Sequence, residues 1–282
     1  MRGFRYLALL SLLVSAGSLL AHEDLQLQIA DVTRQIQRDP RDASLFLKRG
    51  ELHRALREWD LAVSDYDRAA QISPSLTVID FARGAMWLAA GQPDQALAAL
   101  DRFLARQPNH VEARVARART LVKLGRSDAA ADEYGRAIAV HAAPRPEYFL
   151  EQSQALQAAG RGGEEALRAL DDGIRKLGPL VTLELPAIDL EVKARRYDAA
   201  LARVDRLMAQ SARPETFLER RGQILEAAGR RPEARAAYAQ ALAAIEALPG
   251  ARRYTPSTTE LEKRLRAALR RSGPHANQGA GS

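Results

Sequence analysis

Five histidines, His22, His53, His110, His141 and His275, are the residues best suited to metal or acid-base chemistry, and their spacing supports neither. A metal site needs ligands a few residues apart on one element or paired across a loop, and these are scattered singly. The adjacent acids Glu164 and Glu165, and likewise Asp171 and Asp172, point apart on a helix, so they read as solvated charge. Gly160 to Gly163 resembles a phosphate-binding loop only in its glycines, because no Lys-Ser or Lys-Thr follows. The sequence also lacks a nucleophile elbow, a His-Glu metal helix and any cysteine. These residues predict no enzyme, no metal and no cofactor.

Charge narrows the partners. Of 282 residues 46% are hydrophobic but only 5% aromatic, and the net charge is +7. Arg2 and Arg5 carry +2 and the stretch 251–272 carries +5, which leaves the body between them neutral. A nucleic-acid binder needs a broad basic face along its body, so no nucleic-acid partner is expected. The 37 arginines against 5 lysines fit a compositional bias as well as any selected chemistry.

The two ends have their own grammar. Arg2 and Arg5 precede an apolar run from Tyr6 to Leu20 with small residues in its later half, the pattern of a cleaved signal peptide over 1–21. The run is about fifteen residues, short of the roughly twenty that span a membrane. Cleavage after Ala21 competes with cleavage after Ala16, and either predicts export, to the periplasm if the source is bacterial. An uncleaved segment would instead be an anchor. Residues 272–282 are polar and aperiodic, which predicts a disordered tail. Just before them Leu261, Leu265, Ala268 and Leu269 form one apolar stripe, and Lys263, Arg264, Arg266, Arg270 and Arg271 a polar face, so 250–271 reads as a capping helix.

Between the ends the chain repeats. Pro40, Pro74 and Pro108, then Gly50 and Gly84, Ala62, Ala96 and Ala130, and Tyr66, Leu100 and Tyr134 recur at steps of thirty-four. A helix pair of that length cannot bury its apolar face alone, so copies must stack into one elongated array. Gly50 and Gly84 predict close helix approach, and Gly91, Gly125, Gly160 and Gly229 predict the ends of first helices. Pro74 and Pro108 predict the ends of second helices. Arg49 and Arg117 are expected to pair with Asp65 and Glu133 on the second helix of the same unit.

This pattern resembles the tetratricopeptide repeat family, which implies an all-α, right-handed solenoid of antiparallel helix pairs. The alignment gives a half repeat over 22–42 and an array over 43–249, with units at 43–76, 77–110, 111–145, 146–180, 181–214 and 215–249. The fourth unit carries one extra residue between Gly160 and Ala166. In the fifth, Arg195 replaces the turn glycine, and Pro186 falls in the first helical turn if Thr182 caps that helix.

The resemblance implies a groove lined by first helices. In the first three units it would contain Leu47, Glu51 and Arg54, then Val78, Phe81, Ala85 and Leu88, then Val115, Arg119 and Val122. Some family members grip a peptide's terminal carboxylate with a Lys and Asn cluster. The corresponding places hold Leu47, Glu51, Ala82, Glu112 and Ala116, so that clamp is not expected. What remains is an apolar middle with polar flanks, suited to a protein or peptide ligand with apolar anchors. The competing reading is that Phe81 and Leu88 pack against neighbouring helices. The expected function is a non-enzymatic interaction scaffold of the cell envelope. The alternative is a membrane-associated assembly factor held by the N-terminal segment and the basic C-terminal helix.

Overall fold

Helix signals recur in a fixed order along the chain, and the computed structural model places a helix at each. It describes residues 22–271, so the expected signal peptide over 1–21 and the tail over 272–282 lie outside the described residues. Every regular element among the described residues is a helix. The first, α1, covers 22–38. Pairs follow: α2 (Ala43–Ala55) with α3 (Trp59–Ile72), α4 (Val78–Ala89) with α5 (Pro93–Arg106), and α6 (Val111–Lys123) with α7 (Ser127–Val140). Next come α8 (Pro146–Ala158) with α9 (Gly163–Leu177), α10 (Val181–Lys193) with α11 (Tyr197–Ala209), and α12 (Glu215–Ala227) with α13 (Arg231–Glu246). A short α14 (Gly250–Arg253) leads into α15 (Pro256–Arg271). By packing, the chain divides into two compact units between Ala142 and Ala143.

All six first helices stop in the same way. The N–H after the turn residue reaches back five residues, as from Gln92 to the Trp87 carbonyl at 2.9 Å and from Arg196 to the Glu191 carbonyl at 2.8 Å. That closure needs a left-handed residue, which four units supply as glycine. The other two use Arg57, at φ 61°, and Arg195, at φ 58°. A side chain there costs on the order of 1 kcal/mol against glycine. The extra residue of the fourth unit is absorbed after Gly160, where Gly162 becomes the cap of α9 at φ 89°.

The fifth unit corrects one conditional expectation. Helix α10 begins at Val181 with Leu180 as its cap, so Thr182 is inside the helix and Pro186 lies in its second turn. The missing Pro186 N–H leaves the Thr182 carbonyl without its helical donor, and Thr182 is exposed, where water can serve instead.

Packing in each unit follows the repeat. In the first, Val32 and Ile36 of α1 join Phe46, Tyr66, Ile79 and Met86 in one core, so α1 supplies a half repeat's buried face. A Cβ on Gly50 would lie 2.7 Å from Tyr66 Cε1, which shows how tightly α2 and α3 approach. In the second, Ile188, Val204, Leu225 and Tyr238 form a core that Leu261, Leu265 and Ala268 of α15 complete, as the apolar stripe predicts.

Arginines link the helices. Arg49 donates from Nε and Nη2 to the two Asp65 oxygens at 2.8 and 2.7 Å, and Arg117 donates to Glu133 at 2.6 Å. Both expected pairs are present. Each arginine also reaches sixteen residues back, Arg49 to Thr33 at 3.2 Å and Arg117 to Asp101 at 2.6 Å. Arg83 with Asp67 and Arg221 with Asp205 make the same backward link. In four units, then, this position ties the first helix to the preceding element, and Arg49 and Arg117 also tie it to the second helix of their own unit.

Candidate partner-binding face

The ten residues expected in the groove fall on α2, α4 and α6, the first helices of the unit ending at Ala142. Val78 is 37% exposed and Val122 44%, although both are apolar and sit on helices with well-filled cores. Ala85 and Leu88 are half-buried, Arg119 is exposed, and Leu47 is half-buried against the first core. Val115 departs from expectation. It is 3% exposed and belongs to packing, on a helix that contacts both α4 and α5. Phe81 serves both readings at once: it is half-buried, yet its ring lies 5.4 Å from Phe103 and 5.1 Å from His110.

The polar flank is held from below. Glu51 accepts from Arg54 Nη2 at 2.7 Å, and on its other oxygen from the Tyr66 hydroxyl at 2.5 Å. Burial, then the neighbouring Glu51 carboxylate, push the Tyr66 hydroxyl far above its ordinary range, so it stays a donor. Glu112 lies 3.6 Å from His110 Nδ1. The Glu51 and Arg54 charges of this face are matched to each other, which leaves the neighbouring apolar side chains to supply affinity. Sequence reasoning missed the Tyr66 hydroxyl and His110. The signal for Tyr66 is its recurrence at one repeat place, where a buried ring with a polar tip requires an acceptor at the surface.

In the other unit the corresponding surface of α12 is partly covered by α15. Arg264 donates to both Glu219 oxygens at 2.8 and 3.0 Å, and the Tyr238 hydroxyl donates to Glu226 at 2.8 Å. Glu219, Gln223, Glu226 and Arg264 line a cavity of about 220 Å³ there. The basic face of α15 therefore turns one arginine inward. Among the described residues no group of three His, Asp or Glu is arranged to hold a metal, and no helix is long and apolar enough to cross a membrane.

Comparison with known proteins agrees with this architecture. No curated protein matches the chain. Among solved structures, a tetratricopeptide repeat protein from Parabacteroides merdae is 17% identical, with a TM-score of 0.52, over 91% of this chain and 98% of that one. PilW, titled a widely conserved type IV pilus biogenesis factor, is 20% identical with a TM-score of 0.54, over 72% of this chain and 94% of its own. YrrB, titled a TPR protein with an unusual peptide-binding site, is 17% identical with a TM-score of 0.52, over 63% of this chain and 91% of its own. At these identities the likeness is one of fold. A family model described as tetratricopeptide repeat matches residues 88–148, and one described as tetratricopeptide repeat-like domain matches 151–255, together more than half of the sequence. With the helix pairs and their common turns, these matches establish that the chain belongs to the tetratricopeptide repeat family.

Proposed function

We propose that the protein is a non-catalytic scaffold that captures a peptide or protein segment across α2, α4 and α6, with apolar anchors of the partner seated on Val78, Phe81, Leu88 and Val122. The observation that carries this reading is the exposure of Val78 and Val122 on a face whose Glu51 and Arg54 charges are already matched to each other. Apolar side chains that the core does not need, on adjacent helices, supply the centre of an interface, and the paired charges supply its rim. The likeness in fold to YrrB, a TPR protein with an unusual peptide-binding site, and to PilW, a type IV pilus biogenesis factor, supports a binding role.

The test is a pair of substitutions, Val78→Glu and Val122→Glu, in affinity capture from cells of the native organism. The expected outcome is loss of a specific co-purified protein from both variants while their unfolding temperatures stay within a few degrees of the parent. Unchanged capture would exclude this face.

Placement in the cell envelope rests on the sequence of residues 1–21 and is part of the same proposal. Fractionation tests it: a soluble periplasmic protein lacking these residues is expected. Release from membranes by high salt alone would favour an assembly factor held by the basic face of α15, where Lys263, Arg270 and Arg271 face solvent.

A further inference from the structure

We propose that His110 gates the binding face, closing its aromatic floor when the imidazole is neutral and releasing it when the imidazole is protonated. Only the consequence for capture rests on the face proposed above. Helix α6 is capped by a group whose hydrogen-bonding role depends on pH: His110 Nδ1 accepts the Ala113 N–H at 3.2 Å. The usual caps use an oxygen of Ser, Thr, Asp or Asn and remain acceptors near neutral pH. An imidazole nitrogen that gains a proton becomes a donor and can no longer accept. Ala113 is in the first turn, where its amide has no intrahelical carbonyl, so losing Nδ1 leaves it without a protein partner.

The same ring belongs to the floor of the face. Its centroid lies 5.1 Å from Phe81 and 4.9 Å from Phe103, the latter edge-on at 82°. Phe81 in turn sits one helical turn from Val78 on the exposed side of α4. The groups facing the imidazole are few. On its own element Glu112 Oε2 is 3.6 Å from Nδ1, while α4 and α5 meet it with the rings of Phe81 and Phe103. The Asp80 and Arg102 pair that ties α4 to α5 is closed on itself at 3.0 Å. A protonated Nδ1–H loses its role at Ala113 and faces the Glu112 carboxylate, and the gate is the reorientation of the ring toward Glu112, away from Ala113 and from both phenylalanines. Two arrangements of one side chain are thereby coupled to the position of Phe81. Protonation of the imidazole is the trigger, and acidification is the means of applying it.

The experiment uses the full-length chain, deuterated and 15N-labelled, titrated from pH 8 to pH 5 by NMR. The His110 Hε1 signal reports ring protonation, and the Ala113 amide reports the cap. The expected result is a shift of the Ala113 amide with the His110 midpoint and a loss of its exchange protection of roughly fivefold. His110→Asn, which keeps a capping oxygen but does not titrate, should hold the Ala113 amide constant. A His110 ring that titrates without moving Ala113, or that does not titrate in this range, overturns the gate. A second arm measures the Nile red fluorescence removed by Val78→Glu at pH 7.5 and 5.5. That fraction should fall at pH 5.5 in the parent and stay constant in His110→Asn. If Ala113 responds as expected but Val78→Glu removes no dye signal, the binding face is what fails. If the dye depends on Val78 at both pH values equally, the gate fails and the face stands.

Discussion

The cores around α2 and α3 and around α10 and α11 occupy equivalent places in the repeat and are built with opposite chemistry. In the first, Gly50 admits the fully buried Tyr66 ring, and the charges of Arg49 and Asp65 meet beside it. In the second, Ile188 stands at the glycine place, and Glu184, Glu191 and Arg203 lie inside, 0%, 4% and 8% exposed. Arg203 donates to Asp171 at 2.6 Å and to Glu184 at 3.0 Å, and Glu191 lies 2.9 Å from its Nε as an ion pair without hydrogen-bond alignment. Burial works against its charge, but the surrounding carboxylates outweigh burial and raise its pKa well above the ordinary arginine value. The first repeat is filled by ring against glycine beside one ion pair, and the other carries a buried ionic cluster within its apolar core.

This contrast is most sharply broken at Arg203. Arg203→Ala leaves the buried Glu191 without its cation and Glu184 with only the half-exposed Arg206 at 3.3 Å, and should destabilise the protein by about 3 kcal/mol in urea unfolding. Replacing Arg203, Glu184 and Glu191 together by Met, Leu and Leu should recover most of that loss, since well-packed apolar residues replace buried ions at little cost. Failure of the triple variant to recover would mean that the cluster contributes more than its mutual neutralisation.

In the first core a double-mutant cycle on Arg49 and Asp65 is the next largest effect. The bidentate geometry and the 6% exposure of the Asp65 side chain predict a coupling of about 1–2 kcal/mol, above that of a surface pair. A coupling near zero would reduce the pair to a surface contact. Gly50→Ala follows. Its methyl group meets the Tyr66 ring at 2.7 Å and the Ala62 carbonyl at 3.3 Å, so overpacking outweighs the gain in helix propensity. The net loss expected in thermal unfolding is about 1 kcal/mol.

The smallest effect has the opposite sign and should be equal in the two regions. Arg57→Gly and Arg195→Gly each relieve a left-handed arginine at the same turn and should each stabilise by about 0.5–1 kcal/mol. Unequal gains would show that one turn is held by its arginine's own contacts rather than by the backbone alone.

What could be read from the sequence follows the same division. The period of thirty-four is visible where small residues face rings, because shape demands the same residue in every copy: Gly50, Gly84 and Gly222 all stand against a large side chain sixteen residues on. It fades in the fifth unit because charges can neutralise one another in many arrangements, and Glu184, Glu191 and Arg203 follow no family pattern. Arg57 was hidden for a different reason: the turn needs a left-handed residue, and the surrounding hydrogen bonds impose that on an arginine. On the candidate face, exposure was legible for Val78 and Val122 but not for Val115, since a repeat register assigns a direction and not a depth. The link from His110 to Phe81 joins residues twenty-nine apart and requires coordinates.

The central claim, that the face of α4 and α6 holds a partner, is tested most directly by site-specific photocrosslinking in the native organism. A crosslinking residue is placed in turn at Val78, at Val122 and, as a control, at Leu61 on α3, which is 52% exposed. The account predicts one discrete adduct common to positions 78 and 122, absent at 61, and lost from position 122 when Val78→Glu is added. The same adducts at all three positions, or none at 78 and 122, would contradict it.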